Sequence, residues 1–289
     1  MRSDPECVPC LLRRVLFQSR LVEGEDGRGP IKAALQTIVR DFDVVDNSAR
    51  MATNVHRAAY SELPLKDPYK ELKERSDIVA KKLLPKLEEF VDLSENRLEA
   101  CVLGAIVGNV MDFGAGISIQ DPDELLERFQ TLLEQGLNIN DVATLEKMLS
   151  PGNTVLYLFD NCGESVFDRL LIEEIRSRDC KVVGVVKGEP ILTDVTMEDA
   201  LRAGLHEVLD EIVDTGQFAV GIDLRTASEE CLKAFDECDI IISKGMANFE
   251  ALSDEQLGPI FFLMKAKCQP VAKEIGARKD ENAALYRSR

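Results

Sequence analysis

The chain has 289 residues, 45% of them apolar and 30% charged, and a formal net charge of −17. That composition suits a folded protein with a real core and excludes collagen-like and disordered classes; stretches such as 100–107 and 260–264 are far shorter than the ~20 apolar residues of a spanning helix. So negative a surface repels nucleic acid and anionic lipid, and an anionic ligand needs a local exception made from a few lysines or a bound cation.

Residues 1–6 lack the apolar core of a secretory signal, which predicts a cytoplasmic protein with reduced thiols. Eight cysteines are present, but only Cys7 and Cys10 form a CxxC pair. No second CxxC completes a zinc site, so this pair reads as packing on one face of the first helix or as a labile thiol pair. Apolar residues then recur at helical spacing from Leu11 to Leu21 and across 31–42, 47–61, 67–91, 95–111 and 121–135. Ser94 and Asp121 are candidate N-caps. No strand pattern is expected before about residue 150.

At Ser150-Pro151-Gly152-Asn153 the pattern changes. Short β-branched runs at 154–159, 181–186 and 240–242, with further strand candidates at 208–209 and 260–264, alternate with helical stretches at 164–178, 197–203 and 227–235. Strands alternating with helices predict a parallel sheet covered on both faces. The expected fold is therefore α/β: a Rossmann-like, three-layer parallel-sheet domain over 151–289, preceded by a helical N-terminal region over 1–150.

In an open parallel sheet, ligands bind beyond the carboxyl ends of the strands. Those positions here carry Asp160-Asn161-Cys162-Gly163-Glu164, then Lys187-Gly188 and Thr193-Asp194, then Lys244-Gly245 with Asn248, and finally Lys265 and Lys267. Asp160, Asn161 and Asp194 offer two carboxylates and one amide. Hard oxygen donors of this kind suit Mg²⁺ or Mn²⁺, with water and substrate completing the shell. His56 and His206 are the only histidines, which disfavours a histidine-rich zinc site. A metal together with Lys187 or Lys244 would neutralise a phosphate dianion. Taken singly, an Asp-Asn pair after a strand reads equally as a turn or helix cap, and each Lys-Gly as a strand-ending turn.

Several segments together resemble a known family. The stretch 160–168 is similar to the DN-x-GE-x-x-FD segment of the damage-control phosphatases, first filed as domain of unknown function 89. Residues 187–196 resemble their KG-x-P-x-x-x-D-x-T segment, 244–250 their KG-x-x-NFE segment, and Gly108-Asn109-Val110-Met111-Asp112-Phe113 their GN-x-x-DF signature. The CxxC resembles the stand-alone prokaryotic branch. The resemblance implies a metal-dependent phosphatase for small metabolites, such as sugar phosphates or cofactor-related phosphate esters, using Mn²⁺, Mg²⁺, Ni²⁺ or Co²⁺. It implies one metal on Asp160, Asn161 and Asp194, Lys244 at the substrate phosphate, and Asn109 and Asp112 lining the pocket. Lys187, Glu164 and Asn248 complete the candidate substrate-binding set, and Asp160 and Lys244 are the candidate catalytic residues. Either water or a carboxylate such as Asp160 could attack phosphorus. The helical region would form a wall of the substrate pocket, with Gly114-Ala115-Gly116 allowing close backbone approach.

Two other classes predict different features. A methyltransferase-like enzyme calls for a glycine-rich turn after the first strand, and Asp160-Asn161-Cys162-Gly163-Glu164 lacks G-x-G-x-x-G. A haloacid-dehalogenase-type phosphatase calls for D-x-D-x-[TV] there, which is also missing. A non-catalytic protein binding the metal and a phosphorylated metabolite is the remaining alternative. The clustering of Lys187, Lys244 and Asn109 argues against it, because a purely structural metal site would be closed.

Overall fold

The computed structural model describes residues 1–111 and 121–288, and helices occupy most of the first half. These are α1 (Cys7–Arg20), α2 (Arg28–Asp41), α3 (Ser48–Tyr60), α4 (Lys70–Leu93), α5 (Arg97–Val107) and α6 (Glu124–Leu133). A short strand, β1 (Ile139–Asn140), and α7 (Val142–Met148) lead into the alternating half. There β2 (Thr154–Leu158), α8 (Glu164–Arg176), β3 (Lys181–Val186), α9 (Met197–Ala203), β4 (Glu211–Asp214) and α10 (Glu229–Glu237) follow in turn. The chain closes with β5 (Ile240–Lys244), α11 (Gly245–Leu252), β6 (Ile260–Lys265), α12 (Gln269–Ile275) and β7 (Asn282–Arg287).

The strands form one sheet in the order β1-β7-β6-β5-β2-β3-β4, parallel throughout except where β6 meets β7. From β2 the chain runs outward through β3 and β4, and it then returns to β2's other side with β5 and β6. The order therefore reverses between β2 and β5, which opens a crevice beyond their carboxyl ends.

Side chains alternate across the strands and bury both faces of the sheet. Val155 and Tyr157 join Leu83 and Leu87 of α4, Ile106 of α5 and Leu171 of α8. Leu156 and Leu158 face the other way, toward Cys231, Phe249 and Val271 of α10, α11 and α12. Helix α5 is buried continuously from Ala100 to Val107, as expected of a helical stretch that is apolar on every side.

Helices α1 to α3 have a separate cluster, built on Leu11, Val15, Ala34, Ile38 and Val55. Their attachment places them over the sheet's carboxyl edge. Asn47 caps α3 through Ala49 and Arg50 N–H, and its amide donates to the Glu250 carbonyl at 3.1 Å. The Tyr60 hydroxyl accepts from Leu192 N–H at 3.0 Å, and Thr53 accepts from Val220 N–H at 2.9 Å.

Some boundaries differ from the sequence expectation. Strand β1 lies before residue 150 and pairs with β7, but two residues are too short to show an alternation. Val208 and Leu209 belong to the turn before β4, and they are apolar because they fill the core beneath it. Ser94 ends α4 by donating to the Phe90 carbonyl at 2.6 Å, while Asn96 caps α5 by accepting from Glu99 N–H at 3.1 Å. Asp121 accepts from Asp123 N–H at 3.0 Å in the turn that leads into α6. Asn109 sits in a short 3₁₀ turn (Gly108–Val110) after α5 ends. Asp112 and Gly114-Ala115-Gly116 lie outside the described residues.

Asn47→Ala removes both a helix cap and the amide link to α11. Chemical denaturation is expected to show a loss of about 1–2 kcal/mol; unchanged stability would contradict the tethering role.

Candidate active site

The turn after β2 is shaped by contacts on both sides. Gly163 has φ 78° and donates its N–H to Asp77 of α4 at 2.7 Å. Asp77 in turn receives Arg202 Nε from α9 at 2.8 Å. Asp160 lies directly against Gly245, the first residue of α11, whose φ is 77°. A Cβ at Gly245 would stand 1.9 Å from Asp160 Oδ2, so only glycine lets this carboxylate occupy its place.

The β2 and β3 turns are joined at backbone level. Val195 N–H donates to the Asp160 carbonyl at 2.9 Å and Cys162 N–H to the Thr193 carbonyl at 2.8 Å. Thr193 Oγ1 donates to Asn161 Oδ1 at 2.6 Å. Asn161 and Asp194 form an isolated antiparallel bridge. These links bring Asp160, Asn161 and Asp194 together from turns more than 30 residues apart in sequence. All three are buried, and all three line a cavity of about 270 Å³.

Behind the trio is a dense polar scaffold. Asn109 Nδ2 donates at 2.8 Å to both Asp160 Oδ2 and Glu164 Oε2. Asn161 Nδ2 donates to Asp160 Oδ2 at 2.7 Å and to Glu164 Oε2 at 3.0 Å. Lys244 Nζ donates to Glu164 at 2.5 Å, Asp168 at 2.6 Å and the Ala105 carbonyl at 3.0 Å. Glu164, Asp168 and Lys244 have no exposed surface.

One ammonium here faces two carboxylates, so their charges cannot all be balanced. Burial pushes the Asp168 carboxyl up to about 7, with Lys244 pulling it down and Glu164 pushing it up. For Lys244, burial favours the neutral amine, but Asp168 and Glu164 outweigh it and hold the ammonium above its ordinary range. Tyr157 adds a hydroxyl donor to Asp168 at 2.8 Å.

The predicted site residues thus fall into two groups. Asp160, Asn161 and Asp194 face the cavity. Asn109, Glu164, Lys187, Lys244 and Asn248 stand behind its walls and do not border it. Lys187 donates to the Gly221 carbonyl and lies 3.3 Å from Asp194 Oδ2. The amide of Asn248 donates to the Phe159 and Lys244 carbonyls at 3.1 and 2.9 Å. All three protons of Lys244 are used on protein acceptors, so it would have to release one of them to reach a phosphate oxygen.

Among the described residues, no three His, Cys, Asp or Glu side chains converge as a metal-holding group. The Asp160, Asn161 and Asp194 set contains an amide and fits a hard divalent ion on chemical grounds. It offers oxygen donors from two buried carboxylates and one amide, opens on a cavity with room for water and substrate, and carries negative charge only partly offset by Lys187.

The cavity's other wall was not legible as a site. Cys7, Cys10, Arg13 and Arg14 of α1 line it, together with His56, Glu250, Lys267 and Cys268. Cys7, Cys10 and Arg14 share one helical face, and that spacing was the only available signal. Burial pushes the Cys7 thiol up to about 11 and the Cys268 thiol up to about 12, which keeps both protonated. The pair is thus a cavity wall rather than plain core packing.

The whole length of the chain can be compared with known proteins. The family model for the damage-control phosphatase ARMT1-like domain matches residues 3–283. The chain belongs to the damage-control phosphatase family. It is 38% identical to a damage-control phosphatase of Archaeoglobus fulgidus over 286 residues, covering 98% of this chain and 99% of that one. A damage-control phosphatase of Pyrococcus horikoshii is 33% identical over 282 residues, covering 96% of each chain. The crystal structure of a domain-of-unknown-function-89 protein from Pyrococcus horikoshii superposes with a TM-score of 0.87, at 32% identity and 99% coverage of both chains. Membership sets aside the methyltransferase-like alternative and supports the mixed α/β architecture directly.

Lys244→Met would leave Glu164 and Asp168 buried without their cation. The unfolding free energy is expected to fall by about 3–5 kcal/mol. Replacing Glu164 and Asp168 by Gln and Asn in the same protein should recover most of it. A stable single variant would contradict the charge balance described.

Proposed function

We propose that the protein is a metal-dependent phosphatase that hydrolyses small phosphate monoesters, such as a sugar phosphate or a cofactor-related phosphate ester. Its relatives' names supply the phosphatase class. The observation that carries the reading to this chain is the convergence of Asp160, Asn161 and Asp194 on one cavity. In this reading they hold a single divalent ion, Mn²⁺, Mg²⁺, Ni²⁺ or Co²⁺. When bound, the ion supplies Lewis acidity at the phosphoryl oxygens and favours ionisation of a bound water.

The chain's own residues supply the positioning. The Asn109 and Asn161 amides fix the orientation of Asp160, and Gly245 leaves it the space. Lys187 holds Asp194 in place. Lys244, Glu164 and Asp168 act one layer back, keeping the amides aimed and the cluster from repelling itself apart. Cationic side chains on the cavity wall receive phosphate oxygens. The nucleophile is a water or the Asp160 carboxylate.

Among the described residues no helix is long and apolar enough to cross a membrane. All eight cysteines are free thiols, which supports a reducing, cytoplasmic setting as part of this reading.

Metal-stripped protein is expected to hydrolyse a generic aryl phosphate only after one of these four ions is restored. Asp160→Ala and Asp194→Ala should each lose at least roughly a hundredfold in rate while keeping the far-ultraviolet circular dichroism of the parent. Full activity in either variant, or in the stripped protein, would refute the assignment.

A further inference from the structure

A protein of net charge −17 gathers cations at this cavity, and none of its motifs accounts for them. Arg13 and Arg14 stand on α1, while Lys267 and Lys279 flank α12; all four line the same cavity as Asp160 and Asp194. Lys267 is buried, whereas Arg13 and Lys279 are exposed and form part of the rim. Glu250 is held above its ordinary range by desolvation, against the pull of a Ser48 hydrogen bond, the N-terminal ammonium and Arg14. Among the described lining residues the carboxylates are Asp160, Asp194, Glu250 and Glu6.

A divalent ion would balance Asp160 and Asp194. With Arg14 counted against Glu250 and Lys267 assigned to the phosphate, Arg13 and Lys279 remain, and together they exceed the single charge of Glu6. The same lining includes Leu11, Ala52, Leu192, Val220 and Met246, apolar wall suited to carbon rather than to further charge. The volume of about 270 Å³ is small for a ligand site and fits a compact molecule.

We propose that the substrate is a compact phosphate monoester with a second anionic group, a carboxylate or another phosphate, received at the rim by Arg13 and Lys279. This inference rests on the phosphatase reading above. Two charged anchors in one partly apolar cavity would select by the presence of the second anion, because its absence leaves the rim cations without a partner. The rim cations also create a local positive field, which draws an anion through an otherwise repulsive surface.

The test compares matched pairs on the Mn²⁺-loaded protein: glycerol 3-phosphate against 3-phosphoglycerate, and ribose 5-phosphate against ribose 1,5-bisphosphate. The first pair differs by a carboxylate and the second by a phosphate, so the pair that discriminates identifies the group. The doubly anionic member is expected to be favoured roughly tenfold or more in kcat/KM. In the Arg13→Gln/Lys279→Gln protein that preference should collapse, mainly through KM. Equal kcat/KM within both pairs, or a preference that survives the double substitution, overturns the proposal. Turnover of none of the four compounds by protein that also fails on the aryl phosphate would instead defeat the phosphatase reading. Calorimetric binding of the same compounds then decides this one: tighter binding of the doubly anionic members that the double substitution abolishes supports it, and equal binding overturns it.

Discussion

Everything at the cavity floor depends on packing several carboxylates into one buried place without letting them repel each other apart. Asp160, Glu164, Asp168 and Asp194 are all buried at the carboxyl ends of β2 and β3 or in the first turns of α8. A buried carboxylate is costly unless it is paired and hydrogen-bonded. Lys244 answers Glu164 and Asp168, Lys187 answers Asp194, and the amides of Asn109 and Asn161 bridge Asp160 to Glu164. Each lysine sits at the end of a strand adjacent to β2, so the sheet itself places the compensating charge. What is left over at the surface of this cluster is a carboxylate-rich face turned toward the cavity.

The helical half makes that face into a site. Helix α5 delivers the Ala105 carbonyl to Lys244, and the turn that follows it delivers Asn109 to Asp160. Helix α4 contributes Asp77, which holds the Gly163 N–H and so the turn carrying Asp160 and Asn161. Helices α1 and α3 lie over the opening and add the Cys7, Cys10, Arg13 and His56 wall. Buried Asp160 and Asp194 and exposed Arg13 and Lys279 put both signs of charge in one cavity. A net charge of −17 does not by itself supply this.

Much of this was legible in the chain. Strands β2, β3 and β5 are runs of β-branched and apolar residues because both their faces are covered, and their ends could be read as site positions. Asp160, Asn161 and Asp194 were found in that way, and they face the cavity. Strand β4 was misplaced because it is a partly exposed edge, with Glu211 and Asp214 diluting its pattern. Strand β7 was missed because Asn282-Ala283-Ala284 carries little strand propensity and is held by pairing with β6 and β1. Lys187 and Lys244 were expected beside a substrate phosphate, but position at a strand end does not say which way a long side chain turns. Both turn inward. The α1 wall escaped notice because its contact with the α12 flank joins residues some 250 positions apart, and local pattern carries no trace of such a contact.

In the proposed reading, Asp160, Asn161 and Asp194 together supply oxygen donors to one divalent ion. Anomalous diffraction from crystals grown with Mn²⁺ tests it most directly. A single strong peak is expected on the cavity floor, bounded by oxygen atoms of these three side chains. A peak at the Cys7, Cys10 and Cys268 wall with none beside Asp160, or no ordered Mn²⁺ at saturating concentration, would contradict it.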